Sequence, residues 1–315
     1  MIPYVKPGIN LGVNSSINVH EIIRSGKFCL GDYTNKLEEV IKLKYNVKYA
    51  VACCNATNGL IIAFKAAGIK NMRVGIPSFT WPSTLYALEC NNNVPVFFDI
   101  DKDSWTIDVN SNDEYVDAYI AVDTFGNPAN IVTEKPIIYD AAHSFGTYNI
   151  GNRGIVEVLS FSFTKPITGM QGGMILTNDE NVHEEAKELV RLSAKICEIN
   201  AFVCLKSKEL YVDKLLSAMR IMNLYKELIK IPFKVQEYNM SGNYSTFAIL
   251  LETTEKRDNI YNELKDIGIE TKIYYEPLVK GFKNTDDIYS RILCLPVYVN
   301  MISEISKICK IINEV

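Results

Sequence analysis

The sequence predicts an α/β protein, on three observations. Short β-rich runs alternate with helical stretches along the chain, from Tyr49-Ala50-Val51-Ala52-Cys53 onward. Two of the runs stop at polar residues: Ile137-Ile138-Tyr139 at Asp140, and Val156 to Phe163 at Thr164-Lys165-Pro166. A third, Met174 to Thr177, begins directly after Gly172-Gly173. Ligands of open α/β sheets lie beyond the carboxyl ends of strands. An Asp at one such end and a Lys at another are therefore expected to face a shared ligand.

The elements follow in order. SINVHEIIRS (16–25) predicts a short helix ended by Gly26, in which His20 is assigned no role. A helix over roughly 34–45 is amphipathic, with Leu37, Val40 and Ile41 at helical spacing. Strand 49–53 leads into a small polar loop, Asn55-Ala56-Thr57-Asn58-Gly59, and then the helix LIIAFKAAGI. A strand, a polar loop and a helix N-terminus make an anion site, because unpaired N–H groups and the helix dipole face the loop. On the residues alone, Asn55 or Thr57 capping that helix is the simpler account. Val74 to Pro77 begins the next strand–loop unit, where Trp81 alone reads as a core aromatic. Strands are expected at Val94 to Ile100 and Tyr115 to Val122.

Only about a dozen residues then separate Val122 from the strand ending at Asp140, too few for a helical crossover of ordinary length. Lys102 to Glu114 is likewise loop-like. The sheet face there is expected to be polar or covered by another chain. A charged helix follows over 180–196, with His183 on its solvated face, and a long one over 208–230 with an apolar stripe through Leu215, Met219 and Met222. Pro232 marks a boundary, so domains 1–230 and 231–315 are expected. The second holds STFAILLE (245–252), a helix near 255–267, GIETKIYYEPL and a final helix from 301.

A lysine amine and a carboxylate at one ligand suit pyridoxal phosphate. The amine forms a Schiff base with the aldehyde, and the Asp keeps the pyridine nitrogen protonated so that the ring is an electron sink. Singly, each residue has a blander reading: an Asp after a strand caps a turn, and a loop Lys is solvated. The ordered string DAAHSFG, SFSFTK, GGMILTND is more telling. It closely resembles the DegT/StrS family of nucleotide-sugar aminotransferases.

The resemblance runs from about residue 10 to about residue 300 and implies the type I pyridoxal phosphate fold. That fold has a large domain with a mixed, mostly parallel seven-stranded sheet, and a small C-terminal α+β domain. It implies that Lys165 is the Schiff-base lysine, Asp140 the partner of the pyridine nitrogen and Ser160 a phosphate ligand. His143 would lie beside the cofactor's phenolic oxygen, and Trp81 would stack on the ring. The loop matching Gly-Thr-x-Ala-Leu, with Ala56 for the usual Gly, makes Ala56, Thr57 and Asn58 phosphate candidates. Asn200 would reach the partner's phosphate across a homodimer whose active sites lie at the interface. Gln171 and Val279 depart from the family's Glu and His and put substrate choice in question; Phe202 replaces the Arg expected two residues after Asn200, and Asp123 stands where His is common. The implied reaction passes nitrogen from L-glutamate, by way of pyridoxamine phosphate, to a keto group of a nucleotide-linked deoxysugar. No arginine stands out as a clamp for the donor's carboxylate. Two rivals remain. Sugar dehydratases of the family carry His at the lysine position, which Lys165 opposes; a non-catalytic, regulatory relative is opposed by intact Lys165, Asp140 and Ser160.

Composition is ordinary for a soluble globular protein: 315 residues, 48% hydrophobic, 22% charged, net charge -4. Neither nucleic acid nor a membrane is expected as a partner. The opening MIPYVKPGIN lacks the apolar core of a signal peptide, so a cytoplasmic location is expected. The eight cysteines show no C-x-x-C pair and no zinc spacing, and no metal is expected.

Overall fold

The computed structural model describes every residue except 8, 10, 11, 13, 14, 110–112 and 239–241. Helices α1 (Ser15–Ser25) and α2 (Asp32–Tyr45) precede β1 (Tyr49–Cys53), α3 (Ala56–Ala66), β2 (Arg73–Pro77), α4 (Pro82–Glu89) and β3 (Val94–Phe98). Four strands follow: β4 (Ala118–Val122), β5 (Ile137–Asp140), β6 (Val156–Ser160) and β7 (Gly173–Thr177). Then come α5 (Glu180–Ser193), α6 (Glu198–Glu209), α7 (Tyr211–Leu228), β8 (Lys234–Val235), β9 (Phe247–Leu250), α8 (Thr254–Asp266), α9 (Lys283–Arg291), β10 (Ile292–Leu295) and α10 (Ile302–Glu314).

The large sheet has the order β1-β7-β6-β5-β4-β2-β3, and the small one β10-β9-β8. In the large sheet β7 alone runs antiparallel to its neighbours. The carboxyl ends of β1, β2, β4, β5 and β6 therefore share one edge, and β7 starts there. Gly173 faces Cys53 on one side and Ser160 on the other. A side chain at Gly173 would stand 2.8 Å from the Ala56 amide nitrogen and 2.9 Å from Cys53 Sγ. Gly173→Ala is expected to push the start of α3 off the sheet and destabilise the protein by about 1–3 kcal/mol, read by thermal melting.

Alternation along β5 shows why both faces are apolar: Ile138 packs with Leu60, Phe64 and Val158, while Ile137 and Tyr139 point the other way. One face is covered by α3, α4 and α5, the other by α2 and α6. Over β4 and β5 no helix covers the second face among the described residues. Residues 123–136 hold one short 3-10 turn, Thr124–Gly126, and 110–112 of the loop expected over 102–114 lie outside the described residues. The shortened crossover is as expected, but the face is neither polar nor open. Irregular segments of the chain itself cover it, through Ile107, Val116, Ala129 and Ile131 packed on Tyr119, Ala121, Ile137 and Tyr139.

Two further expectations are corrected. Helix α3 begins at Ala56, so the polar loop is its first turn, with Asn55 as N-cap. The stretch before the long helix expected over 208–230, to which no helix was assigned, forms α6, which meets that long helix, α7 (Tyr211–Leu228), at Leu210. Helix α6 also fastens α2: the buried Glu198 carboxylate accepts the amides of Gly31 at 2.9 Å, Tyr33 at 2.8 Å and Thr34 at 3.0 Å. Those three amides are unpaired donors before and within the first turn of α2, and one buried acid satisfies them all. The second half of α7, through Ile221, Met222 and Tyr225, packs into a separate apolar cluster with β9, α8, β10 and α10.

Candidate active site

Beyond the shared sheet edge lies a cavity of about 360 Å³, walled among others by Ala56, Thr57, Trp81, Asp140, His143, Ser160 and Lys165. Asp140 ends β5 and is 6% exposed. Its Oδ2 accepts the Thr84 hydroxyl at 2.8 Å, its Oδ1 the Ala142 amide at 3.2 Å. Burial pushes the carboxyl up from its ordinary pKa; the Thr84 and Ala142 bonds and the charge of Lys165 pull it down. Lys165 sits in the turn that follows β6, its amide bonded to Ser162 O at 3.0 Å. Burial lowers its ammonium to a pKa of about 8, against the attraction of Asp140.

Lys165 Nζ lies 2.7 Å from His143 Nε2, and the Tyr275 hydroxyl lies 3.0 Å from the same nitrogen. Burial, and then the Lys165 charge, hold His143 well below its usual range, so its imidazole is neutral. A neutral Nε2 carries one lone pair or one proton, and can form only one full hydrogen bond at a time. Tyr275 therefore competes with Lys165 for His143. Tyr275→Phe is expected to lower kcat/KM about fivefold with melting unchanged, checked by steady-state kinetics. The ring of Tyr275 stacks on Phe125 at 5.2 Å, and Asn243 holds the loop beneath by donating to the carbonyls of His143 and Phe145.

At the start of α3, Asn55 Oδ1 accepts the Asn58 amide at 2.8 Å. The amides of Ala56 and Thr57 have no partner among the described residues and stand at the cavity wall. Ser160, at the end of β6, adds a hydroxyl. Trp81 is 56% exposed at the cavity, edge-on to Tyr274 and Tyr275, and is no core residue; the buried tryptophan is Trp105.

Two candidates lie elsewhere. The Asn58 side chain turns back to Asn55 Oδ1 at 3.2 Å and does not line the cavity. Asn200, on α6, donates to the carbonyls of Gly169 at 2.7 Å and Gln171 at 3.1 Å, so its amide is committed to its own chain. Sequence reasoning missed Thr84, Asn243 and the ion cluster beneath the site. Tyr275 lay inside the motif GIETKIYYEPL without a role; for Thr84 and Asn243 no local signal exists. In the cluster, Arg153 donates to Asp123 at 3.0 and 2.7 Å and to Glu157 at 3.0 and 2.5 Å. Asp123 in turn accepts the hydroxyl of Ser144, next to His143, at 2.7 Å.

A lysine of lowered pKa, a buried carboxylate, free helix-terminal amides and an aromatic rim surround one cavity. They fit a cofactor with an aldehyde, a ring nitrogen and a phosphate, as in pyridoxal phosphate enzymes of type I fold. Comparison with known proteins agrees. Residues 11–313 match the model of the DegT/DnrJ/EryC1/StrS aminotransferase family, and the chain belongs to that family. It is similar to dTDP-4-amino-4,6-dideoxy-D-glucose transaminase of Shigella dysenteriae, at 28% identity over 87% of this chain and 88% of that protein. A pleiotropic regulatory protein of Geobacillus stearothermophilus is also 28% identical, over 81% of this chain and 78% of its own. A solved DegT DnrJ EryC1 StrS aminotransferase from Brucella abortus superposes with a TM-score of 0.83 at 25% identity, over 98% of this chain and 99% of that one. The expected fold class is thus borne out.

Proposed function

We propose that this chain is a pyridoxal phosphate-dependent aminotransferase that moves an amino group from L-glutamate to a keto group of a nucleotide-linked deoxysugar. The observation that carries this reading is the Lys165 amine and the Asp140 carboxylate facing one cavity from the ends of neighbouring strands. Membership of an aminotransferase family and likeness to a nucleotide-sugar transaminase support it.

When bound, the cofactor supplies an aldehyde for the lysine and a ring that accepts electrons. Asp140 holds a proton at the ring nitrogen, its plane set by Thr84 and Ala142. With the cofactor in place, the Lys165 amine would act as general base and acid toward the donor's α-carbon proton. Its lowered pKa of about 8 keeps far more of the amine neutral near pH 7 than an exposed lysine would be. His143 orients that amine. The amides of Ala56 and Thr57 and the hydroxyl of Ser160 bind the phosphate, while Trp81 covers the ring and excludes water. Asn58 supports the cradle by bonding Asn55, and Asn200 orders the turn before β7.

The same reading includes a homodimer that covers the exposed Trp81 and Phe163 at the cavity mouth, and a cytoplasmic location. It also includes a large domain, 1–230, and a small one, 231–315, with α7 lending its second half to the smaller core. No described helix is long and apolar enough to cross a membrane.

The test is the visible spectrum of purified protein with pyridoxal phosphate, before and after L-glutamate, with Lys165→Ala alongside. A band that bleaches with glutamate and is missing in the variant is the expected result. A stable band that ignores every amino donor would favour the rival, a cofactor-binding regulatory relative. No band at all would sink both.

A further inference from the structure

The lysine turn has a second, smaller cavity behind it. Its volume is about 70 Å³, and it shares Lys165 and Ser245 with the larger one. Lys214, on α7, and Lys6, in the N-terminal segment, line it. Lys214 is partly buried and has no carboxylate partner among the described residues. Its Nζ donates to Ser207 Oγ at 2.9 Å, a hydroxyl that already accepts the Thr168 amide at 3.0 Å. Burial lowers its pKa to about 8, against a smaller upward pull from the Cys204 thiol. Lys6 Nζ stands over the Tyr298 ring, 5.1 Å from its centroid. Two more wall residues are unmatched. The Tyr211 hydroxyl and Ser245 Oγ are both buried without a hydrogen-bond partner among the described residues. Buried donors without acceptors and a desolvated ammonium without a counter-charge are each unfavourable. An anion in this cavity would offset the Lys214 charge and accept from Ser245 Oγ, while the Tyr211 hydroxyl lies against Gly146.

We propose that this cavity is an anion subsite of the active site, taking the carboxylate of the amino donor or the diphosphate of the nucleotide sugar. The assignment rests on the aminotransferase reading above for the identity of those substrates. Its position favours the carboxylate, because Lys165 borders both cavities and a carboxylate held here would keep the donor beside the turn that carries that amine. A lysine would then serve here, where no arginine lines either cavity among the described residues.

The experiment is an acetylation footprint of the cofactor-loaded protein at pH 8, read lysine by lysine by mass spectrometry, with glutarate or inorganic pyrophosphate as the probe. Glutarate is expected to slow acetylation of Lys214 about tenfold while exposed lysines such as Lys310 react unchanged. Protection by pyrophosphate alone would assign the subsite to the diphosphate instead. Protection by neither overturns the proposal. In kinetics, Lys214→Gln is expected to raise KM for L-glutamate about tenfold with KM for the sugar nucleotide unchanged, and Lys214→Arg to restore it. A protein that never transaminates, yet whose Lys214 is protected, loses the aminotransferase reading and keeps the subsite, because protection does not depend on turnover.

Discussion

Lys165→Ala is expected to lower kcat about 10⁴-fold, the upper range for losing a positioned acid–base group, and to abolish the visible band with pyridoxal phosphate. The same residue should limit stability. Burial lowers its pKa to about 8 in the folded chain, against roughly 10.4 for a lysine in an unfolded one. Between those two values the unfolded chain binds a proton that the folded chain has released, so stability rises with pH there. Below about pH 8 the native protein carries the full penalty of a desolvated ammonium; above about pH 10.4 it carries none. Lys165→Met removes the group. Without cofactor it is expected to melt above the native chain at pH 7 and level with it at pH 10.5. Equal melting points at both pH values would show that the amine is not desolvated. A gain in stability bought with the loss of activity is the signature of a residue held for chemistry.

Arg153→Met is expected to destabilise the protein by about 3–5 kcal/mol, because it leaves two buried carboxylates without their counter-charge. The side chains involved are 6% exposed for Arg153, none for Asp123 and 1% for Glu157. The guanidinium also lies over the Tyr139 ring, 4.3 Å from its centroid. The loss should be larger at pH 8 than at pH 5. Burial already pushes the Glu157 carboxyl up, and at low pH that orphaned acid can take a proton instead of staying charged. Thermal melting at the two pH values reads the difference. Arg153→Lys should rescue little, since one ammonium cannot replace a planar fork that meets two carboxylates at once. Activity is expected to fall with stability, because Asp123 holds Ser144 and so the loop that carries His143.

The sequence by itself determined the strands, the sheet edge at which they end and the core of the site. Asp140 and Ser160 end short apolar strands and Lys165 follows one, and those runs are local in the sequence. The polar loop after β1 was legible for the same reason. Its helix simply began earlier than the polar residues suggested, since Asn55 caps from outside. What the tertiary structure decided are the contacts between segments far apart in the chain. Thr84 reaches Asp140 across 56 positions, Tyr275 reaches His143 across 132, and Glu198 reaches the start of α2 across more than 160. A polar side chain has no periodicity to announce its partner. Its role exists only where folding buries it beside an unmatched donor or charge. Asn200 is the converse: its place in the chain suggested a reach outward, and packing turned its amide onto the carbonyls of Gly169 and Gln171. The covered face of β4 and β5 follows the same rule. Loop segments with too few residues for a helix still carry Ile107, Ala129 and Ile131, and apolar side chains bury wherever a sheet face is open to them.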